Sequence, residues 1–282
     1  MTRLRMFCLC GAAALLGTAS GVVSGHPASL GEDLETARLP LIATVSDRFL
    51  SYNVEMVELT GGRFWKPYRS VGADNKGQYE YRAPIDLSNV RLRKLAAALG
   101  PAYVRYSGTW ANATVYLDTD SHEGPPPAGY DAVLTRGQWK GAVAFAKAVD
   151  VRIVTSMPTS AGSRDAQGLW QSGDADRFLQ ATRAFGVKIW ASEFANEPNL
   201  IGGTKPPEGY AAEDYRRDYA RFHGWIKERS PETLVLAPGA FEYADGKKAL
   251  PAFIKILSTY TLMPKSPIQK FLRRSNTLRF CG

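Results

Sequence analysis

An alternation of two sequence patterns runs along the middle of this chain. Short runs rich in β-branched and aromatic residues are followed, again and again, by amphipathic stretches with helical spacing. A parallel sheet with helices laid on it is the arrangement that buries both kinds of apolar surface. Five runs read as strands, at residues 49–55, 102–106, 151–156, 187–194 and 233–237. A helix is expected over 88–99, with Val90, Leu92, Leu95 and Leu99 as its apolar residues and Gly100-Pro101 as its stop. Another over 135–149 opens on a capping-box pair, Thr135 and Gln138. Helices over 175–185, ended by Gly186, and over 212–228, with Tyr215, Tyr219, Phe222 and Ile226 in one stripe, complete the alternation.

The connections are lopsided. Those after the strands (61–81, 107–130, 157–172, 195–210) are long, and those before them (100–101, 150, 186) are very short. In a (β/α)8 barrel this places ligand-facing structure on the C-terminal face of the strands. No glycine-rich phosphate turn follows the first strand, which argues against an open doubly wound sheet. The fold class expected is α/β, a (β/α)8 TIM-barrel type, incomplete, with about five βα units.

The ends differ from this middle. Residues 1–25 carry Arg3 and Arg5, an apolar run from Met6 to Leu16, and then small residues, the three parts of a secretory signal peptide. Export to a secreted or periplasmic location is expected, with no membrane association once the signal is removed, because the run is shorter than the ~20 residues a bilayer span needs. Residues 26–46 read as an N-terminal extension with an extra strand at 39–46, and 47–257 as a partial catalytic barrel. The last stretch, 258–282, is an atypical basic tail that breaks the pattern. Early termination or a shifted reading frame is expected to have replaced the natural C-terminal half there.

Charge and cysteines exclude several classes. The formal charge is +8, but seven of the 35 basic residues sit in the two end segments, which hold no acid, so the remainder balances to within one charge against the 27 acids. No nucleic-acid partner is implied. Cys8 and Cys10 fall within the signal, leaving Cys281 alone, so neither an internal disulfide nor a thiolate metal cage is expected. His26, His122 and His223 lack metal-type spacing, and neither a metal nor a cofactor is expected. Asn112-Ala-Thr114 matches a glycosylation sequon by pattern, which is read as a chance match.

The stretch 189–199 carries the chemistry. An apolar strand runs into Asn196-Glu197-Pro198, which sets a carboxylic acid beside an amide at the strand's C-terminal tip. Cleaving a glycosidic bond needs an acid that protonates the leaving oxygen, and an amide can hold a sugar hydroxyl. Pro198 is expected to bias Glu197 toward an extended backbone.

Three blocks in order, Asp47-Arg-Phe-Leu-Ser-Tyr-Asn-Val-Glu55, the stretch from Asn89 to Thr109, and the Asn-Glu-Pro block, resemble glycoside hydrolase family 79, the heparanase and β-glucuronidase family. The resemblance spans residues 41–243. It implies a retaining glycosidase on a (β/α)8 barrel carrying a β-sandwich, acting on uronic-acid glycosides, with an oligo- or polysaccharide as partner. It implies Glu197 as acid/base, Asn196 as a sugar-contacting amide, and Glu55 as an acidic substrate contact where the heparanase branch has Asp. Gly108 and Thr109 match a cleft-lining Gly-Gly-Thr turn, in which Ser107 is a departure. The family's nucleophile is a second glutamate after strand seven, and no such strand is visible. Glu242 follows strand five and comes too early in the barrel order. The chain as given is therefore expected to be inactive or nearly so. A noncatalytic carbohydrate-binding barrel fragment, or a related glycosidase on neutral glycans, is the alternative. Arg63, Lys66, Arg105 and Arg164 are the cations that could meet a substrate carboxylate.

Overall fold

The computed structural model describes residues 44, 46–67, 77–237 and 239–240. The expected signal, nearly all of the 26–46 extension with its strand, Glu242 and the 258–282 tail lie outside the described residues. In chain order the elements are β1 (Leu50–Glu55), α1 (Met56–Thr60), β2 (Gly62–Trp65), β3 (Tyr79–Arg82), α2 (Val90–Ala97), β4 (Ala102–Ser107), β5 (Thr114–Leu117) and β6 (Ala132–Thr135). Then come α3 (Arg136–Ala148), β7 (Val151–Ser156), α4 (Gly173–Ala184), β8 (Ile189–Glu193), α5 (Ala212–Arg229) and β9 (Leu234–Leu236).

Strands β1, β4, β7, β8 and β9 pair in that order, every pair parallel, and they are the five strands expected, each within two residues at either end. Spatial order equals chain order, so each crossover advances one strand in the same direction. Right-handed crossovers then lay α2, α3, α4 and α5 on one face of the sheet. Among the described residues this is a run of five successive strands of (β/α)8 type. A doubly wound sheet would reverse its order and carry helices on both faces.

Val54, Val104, Tyr106, Ile153 and Ile189 point from the sheet into a single buried cluster with Trp139 and Phe145 of α3, Phe178 of α4 and Phe222 and Ile226 of α5. Rings that carry polar atoms must still find partners there. Tyr106 Oη donates to Ala142 O at 3.0 Å, and Trp139 Nε1 donates to Thr182 Oγ1 at 2.9 Å. The capping box at the start of α3 forms as expected, with Gln138 N donating to Thr135 Oγ1 and Thr135 N to Gln138 Oε1.

Three expectations need correction. Helix α2 is shorter than 88–99 because the Asn89 side chain caps it, accepting from Arg91 N and Leu92 N. Most of its apolar stripe is also not buried: Val90, Leu95 and Leu99 are exposed, while Leu92 packs partly buried against the core and Ala96 is its buried residue. The helix flanks the open β1 edge of the sheet, and among the described residues nothing covers that side. Finally, the long connections are not featureless. Within 61–81 lies the antiparallel pair β2–β3, and within 107–130 a 3-10 turn (Thr109–Ala113) precedes β5, which pairs in parallel with β6. Strands of four residues are too short to leave a periodic signal.

Opposite the helices, the sheet's other face carries polar and aromatic side chains. Tyr103 and Trp190 meet there at 4.3 Å between ring centroids. Trp190 is the extra residue of a bulge, since Ile153 pairs with Ile189 and Val154 with Ala191. At the C-terminal end of this face the register sets Glu55 beside Ser107, and Ser156 beside Glu193. The edge strands β1 and β9 leave Leu50, Leu234 and Leu236 exposed.

Candidate active site

The strand tips assemble a polar cluster around the Asn196-Glu197 turn. Glu193, the last residue of β8, is buried, and its Oε1 accepts from Arg105 Nε at 3.0 Å, from Arg105 Nη2, and from Ser107 Oγ at 2.7 Å. Ser107 Oγ also lies 2.7 Å from Ser156 Oγ. The Arg105 guanidinium reaches in two further directions, to Asn196 Oδ1 at 2.8 Å and Asn53 Oδ1 at 2.8 Å. Asn53 Nδ2 donates to Glu55 Oε1 at 3.1 Å. One cation thus links the tips of β1, β4 and β8. A carboxylate as buried as Glu193 has to be paired, and here it is paired and hydrogen-bonded twice over.

Glu55 ends β1, and its other oxygen, Oε2, is buried with no hydrogen-bond partner. Burial pushes its carboxyl up from 4.5 to about 7; Arg105 and the Asn53 hydrogen bond oppose the rise, and the charges of Glu58 and Glu197 add to it. Gly108 explains how the group fits. A Cβ there would fall 1.6 Å from Glu55 Oε2, and the residue's φ of +97° is one that side chains disfavour. Gly108 is therefore the seat of the Glu55 carboxyl.

Asn196 and Glu197 are held from behind by Asn112. The Asn112 Nδ2 donates to Asn196 O at 2.8 Å, and Asn196 N donates to Asn112 Oδ1 at 2.9 Å. The main-chain oxygen of Asn112 accepts from Thr159 N at 2.9 Å and Ser160 N at 3.0 Å. One residue, through its side chain and its main-chain oxygen together, therefore ties the loops after β4, β7 and β8. It is 1% exposed with both amide atoms engaged, so the folded chain does not present this sequon asparagine for modification. The Asn196 side chain, in turn, donates to Thr109 Oγ1 at 3.4 Å.

Glu197 corrects one expectation. Its backbone is left-handed, φ 45° and ψ 59°, not extended. For a residue with a Cβ this costs on the order of 1–3 kcal/mol and persists only where neighbours over-determine it. The neighbours are the Asn112 clamp on one side and a hydrogen bond from Glu197 N to Gly239 O at 2.9 Å on the other. The half-buried Glu197 side chain leaves a turn whose path is fixed at both ends. Beyond it, Pro198, Asn199, Lys205, Pro207 and Tyr210 border a groove of about 510 Å³, which flanks the polar cluster rather than containing it.

The structure therefore brings Glu197, Asn196, Glu55, Gly108 and Thr109 to one place. Of the candidate cations, Arg105 belongs to the cluster. Arg164 does not: its guanidinium is buried against Asp218 at 2.6 Å. Arg63 is exposed and Lys66 half-buried on β2 and just after it. Asn53 and Glu193 were not singled out from sequence, and Asn112 was noted there only as a chance sequon, not as part of the site. Glu193 had a signal, a charge inside an otherwise apolar strand, whereas the role of Asn112 exists only in the folded chain. Among the described residues no group of three His, Cys, Asp or Glu side chains could hold a metal ion.

No protein-family model and no curated protein matches the chain. Solved structures to which it is similar include the catalytic domain of GH30 xylanase C from Talaromyces cellulolyticus, at 11% identity and a TM-score of 0.39, covering 63% of this chain and 47% of that one. The endo-1,4-beta-mannanase from Rhizomucor miehei is 16% identical, with a TM-score of 0.36, covering 58% and 56%. The hyperthermostable endo-1,4-beta-D-mannanase from Thermotoga petrophila RKU-1 is 16% identical, with a TM-score of 0.32, covering 71% and 58%. The chain spans about half the length of these structures, and likeness at this level assigns no activity.

Proposed function

We propose that this chain is the acid-bearing part of a retaining glycoside hydrolase that cleaves uronic-acid glycosides, with Glu197 as the proton donor. The observation that carries the reading is the turn at Glu197. A glutamate in a disfavoured backbone conformation is clamped behind the fourth parallel strand, next to an amide that Arg105 orients. In the reaction, Glu197 donates its proton to the glycosidic oxygen as the bond to the anomeric carbon breaks. Asn196 holds a hydroxyl of the sugar. The family resemblance of the sequence supplies the uronic acid.

Retention also needs a second carboxylate, about 5–5.5 Å from the first, to attack the anomeric carbon. Two other glutamates share the cluster, and neither suits that role. Glu193 is 5% exposed, with Oε1 committed to Arg105 and Ser107 and Oε2 so close to Gly239 that a Cβ there would lie 2.8 Å away. Glu55, at about 7, is half protonated near neutrality, which makes it a poor nucleophile. Among the described residues neither glutamate beside Glu197 suits the nucleophile's role, and carbohydrate binding without catalysis is the second reading. An aryl β-glucuronide assayed with the 282-residue chain and with Glu197→Gln tests the pair. Slow or absent hydrolysis with saturable glucuronide binding is expected. Robust turnover that survives Glu197→Gln would overturn the assignment of the acid.

A further inference from the structure

We propose that the exposed face of the β2–β3 hairpin is a carbohydrate-stacking subsite, which takes a pyranose ring of an extended acidic glycan next to the Glu197 turn. The inference rests on the glycosidase reading and extends it to the length of the ligand. In the antiparallel register Trp65 lies opposite Tyr79 and Arg63 opposite Tyr81. Alternation then sets these four side chains on one face of the ribbon. Trp65 and Tyr79 meet at 4.6 Å between centroids, and Trp65 is 41% and Tyr81 72% exposed.

The hairpin is fixed from the opposite side. Phe64 packs edge-on against Trp110 at 5.1 Å, and the Arg82 guanidinium lies 5.4 Å from the Phe64 ring. These contacts hold the ribbon from behind and leave Trp65 and Tyr81 exposed on its other face. Trp110 also fixes the location. It follows Thr109, whose hydroxyl accepts from Asn196, and it contacts both Trp65 at 6.3 Å and Tyr79 at 6.4 Å. The aromatic face thus continues the polar cluster instead of sitting elsewhere on the surface.

Single exposed aromatic residues need no explanation, but a contiguous set beside a polar cluster does. Pyranose rings present a face of C–H bonds that packs on the electron-rich face of an indole or phenol. Exposed Arg63 beside the rings suits a carboxylate or sulfate on the same sugar. The chemistry on the ribbon is that of an acidic oligosaccharide.

The test titrates the full chain with a hexasaccharide of alternating glucuronic acid and N-acetylglucosamine and, separately, with an aryl glucuronide, reading tryptophan emission. In Trp65→Ala and in Tyr81→Ala the ratio of hexasaccharide to monosaccharide affinity should fall about tenfold, the scale of one lost ring contact. Trp65→Phe should restore most of it. Tyr81 is a surface residue, so its variant stays informative if Trp65→Ala does not fold. An unchanged ratio in both alanine variants, or no hexasaccharide binding by the parent chain, overturns the subsite. A hexasaccharide affinity lowered by Trp65→Ala alongside glucuronide chemistry indifferent to Glu197→Gln would leave the subsite standing and remove the hydrolase reading.

Discussion

Replacing Asn112 by alanine isolates the device that fixes the Asn196-Glu197 turn. The substitution strips two hydrogen bonds, of 2.8 and 2.9 Å, from the peptide groups of Asn196 in a site 1% exposed. Each buried group left without a partner costs about 1–3 kcal/mol, so the total is about 2–6 kcal/mol. A domain of this kind is stable by about 5–15 kcal/mol, so the loss is a large share of the whole. Urea denaturation of the dilute chain, followed by tryptophan emission, measures it. Asn112→Asp adds a signature that a generic core defect lacks. As a carboxylate it still accepts from Asn196 N but faces Asn196 O with a second acceptor. When protonated it can donate there. Burial raises an acid's folded pKa, so the variant's stability relative to the parent should be best at low pH and be lost as pH rises through that value. A loss below about 0.5 kcal/mol in Asn112→Ala, or a flat pH dependence in Asn112→Asp, would refute the clamp.

Glu55→Gln should remove a pH dependence. The folded carboxyl titrates at about 7 against 4.5 unperturbed, so the parent's stability falls as pH rises between those values, by at most about 3 kcal/mol and less after screening of a partly exposed group. The variant should lose that slope and be the more stable of the two at pH 8; equal slopes in urea titrations at pH 5 and pH 8 would contradict it. The edge strands of the described sheet predict self-association, because β9 presents Leu234 and Leu236 and β1 presents Leu50 to solvent. Leu236→Lys should shift light-scattering profiles toward the monomer, and an unaltered oligomer distribution would place the contact elsewhere.

How much of this was legible in the sequence follows from which forces are local. Strand positions and the α3 cap were readable, because apolar periodicity and the Thr135–Gln138 pair act within a few residues. The Asn196-Glu197 pair was readable for the same reason. The left-handed turn at Glu197 was not: Pro198 by itself favours an extended residue before it, and hydrogen bonds from Asn112 and Gly239, distant in sequence, override that preference. Gly108 was found for a cleft-lining role, but its close contact with the Glu55 carboxyl depends on strand register. Helix α2 misled because Val90, Leu95 and Leu99 have core spacing whether or not anything covers them.

Leaving-group dependence in the presence of azide shows whether Glu197 delivers a proton to a leaving oxygen, as proposed. Azide can attack the anomeric carbon where no carboxylate does so, and if Glu197 is the acid it protonates the aglycone as the bond to oxygen breaks, giving a glycosyl azide of inverted configuration. With an aryl glucuronide whose phenol is weakly acidic, azide-dependent release should occur and should fall at least about a hundredfold in Glu197→Gln, the scale of one general acid. A dinitrophenyl glucuronide, whose leaving group needs no proton, should be released almost equally by both. Equal sensitivity of the two substrates to Glu197→Gln, or no azide-dependent release of either, would contradict the account.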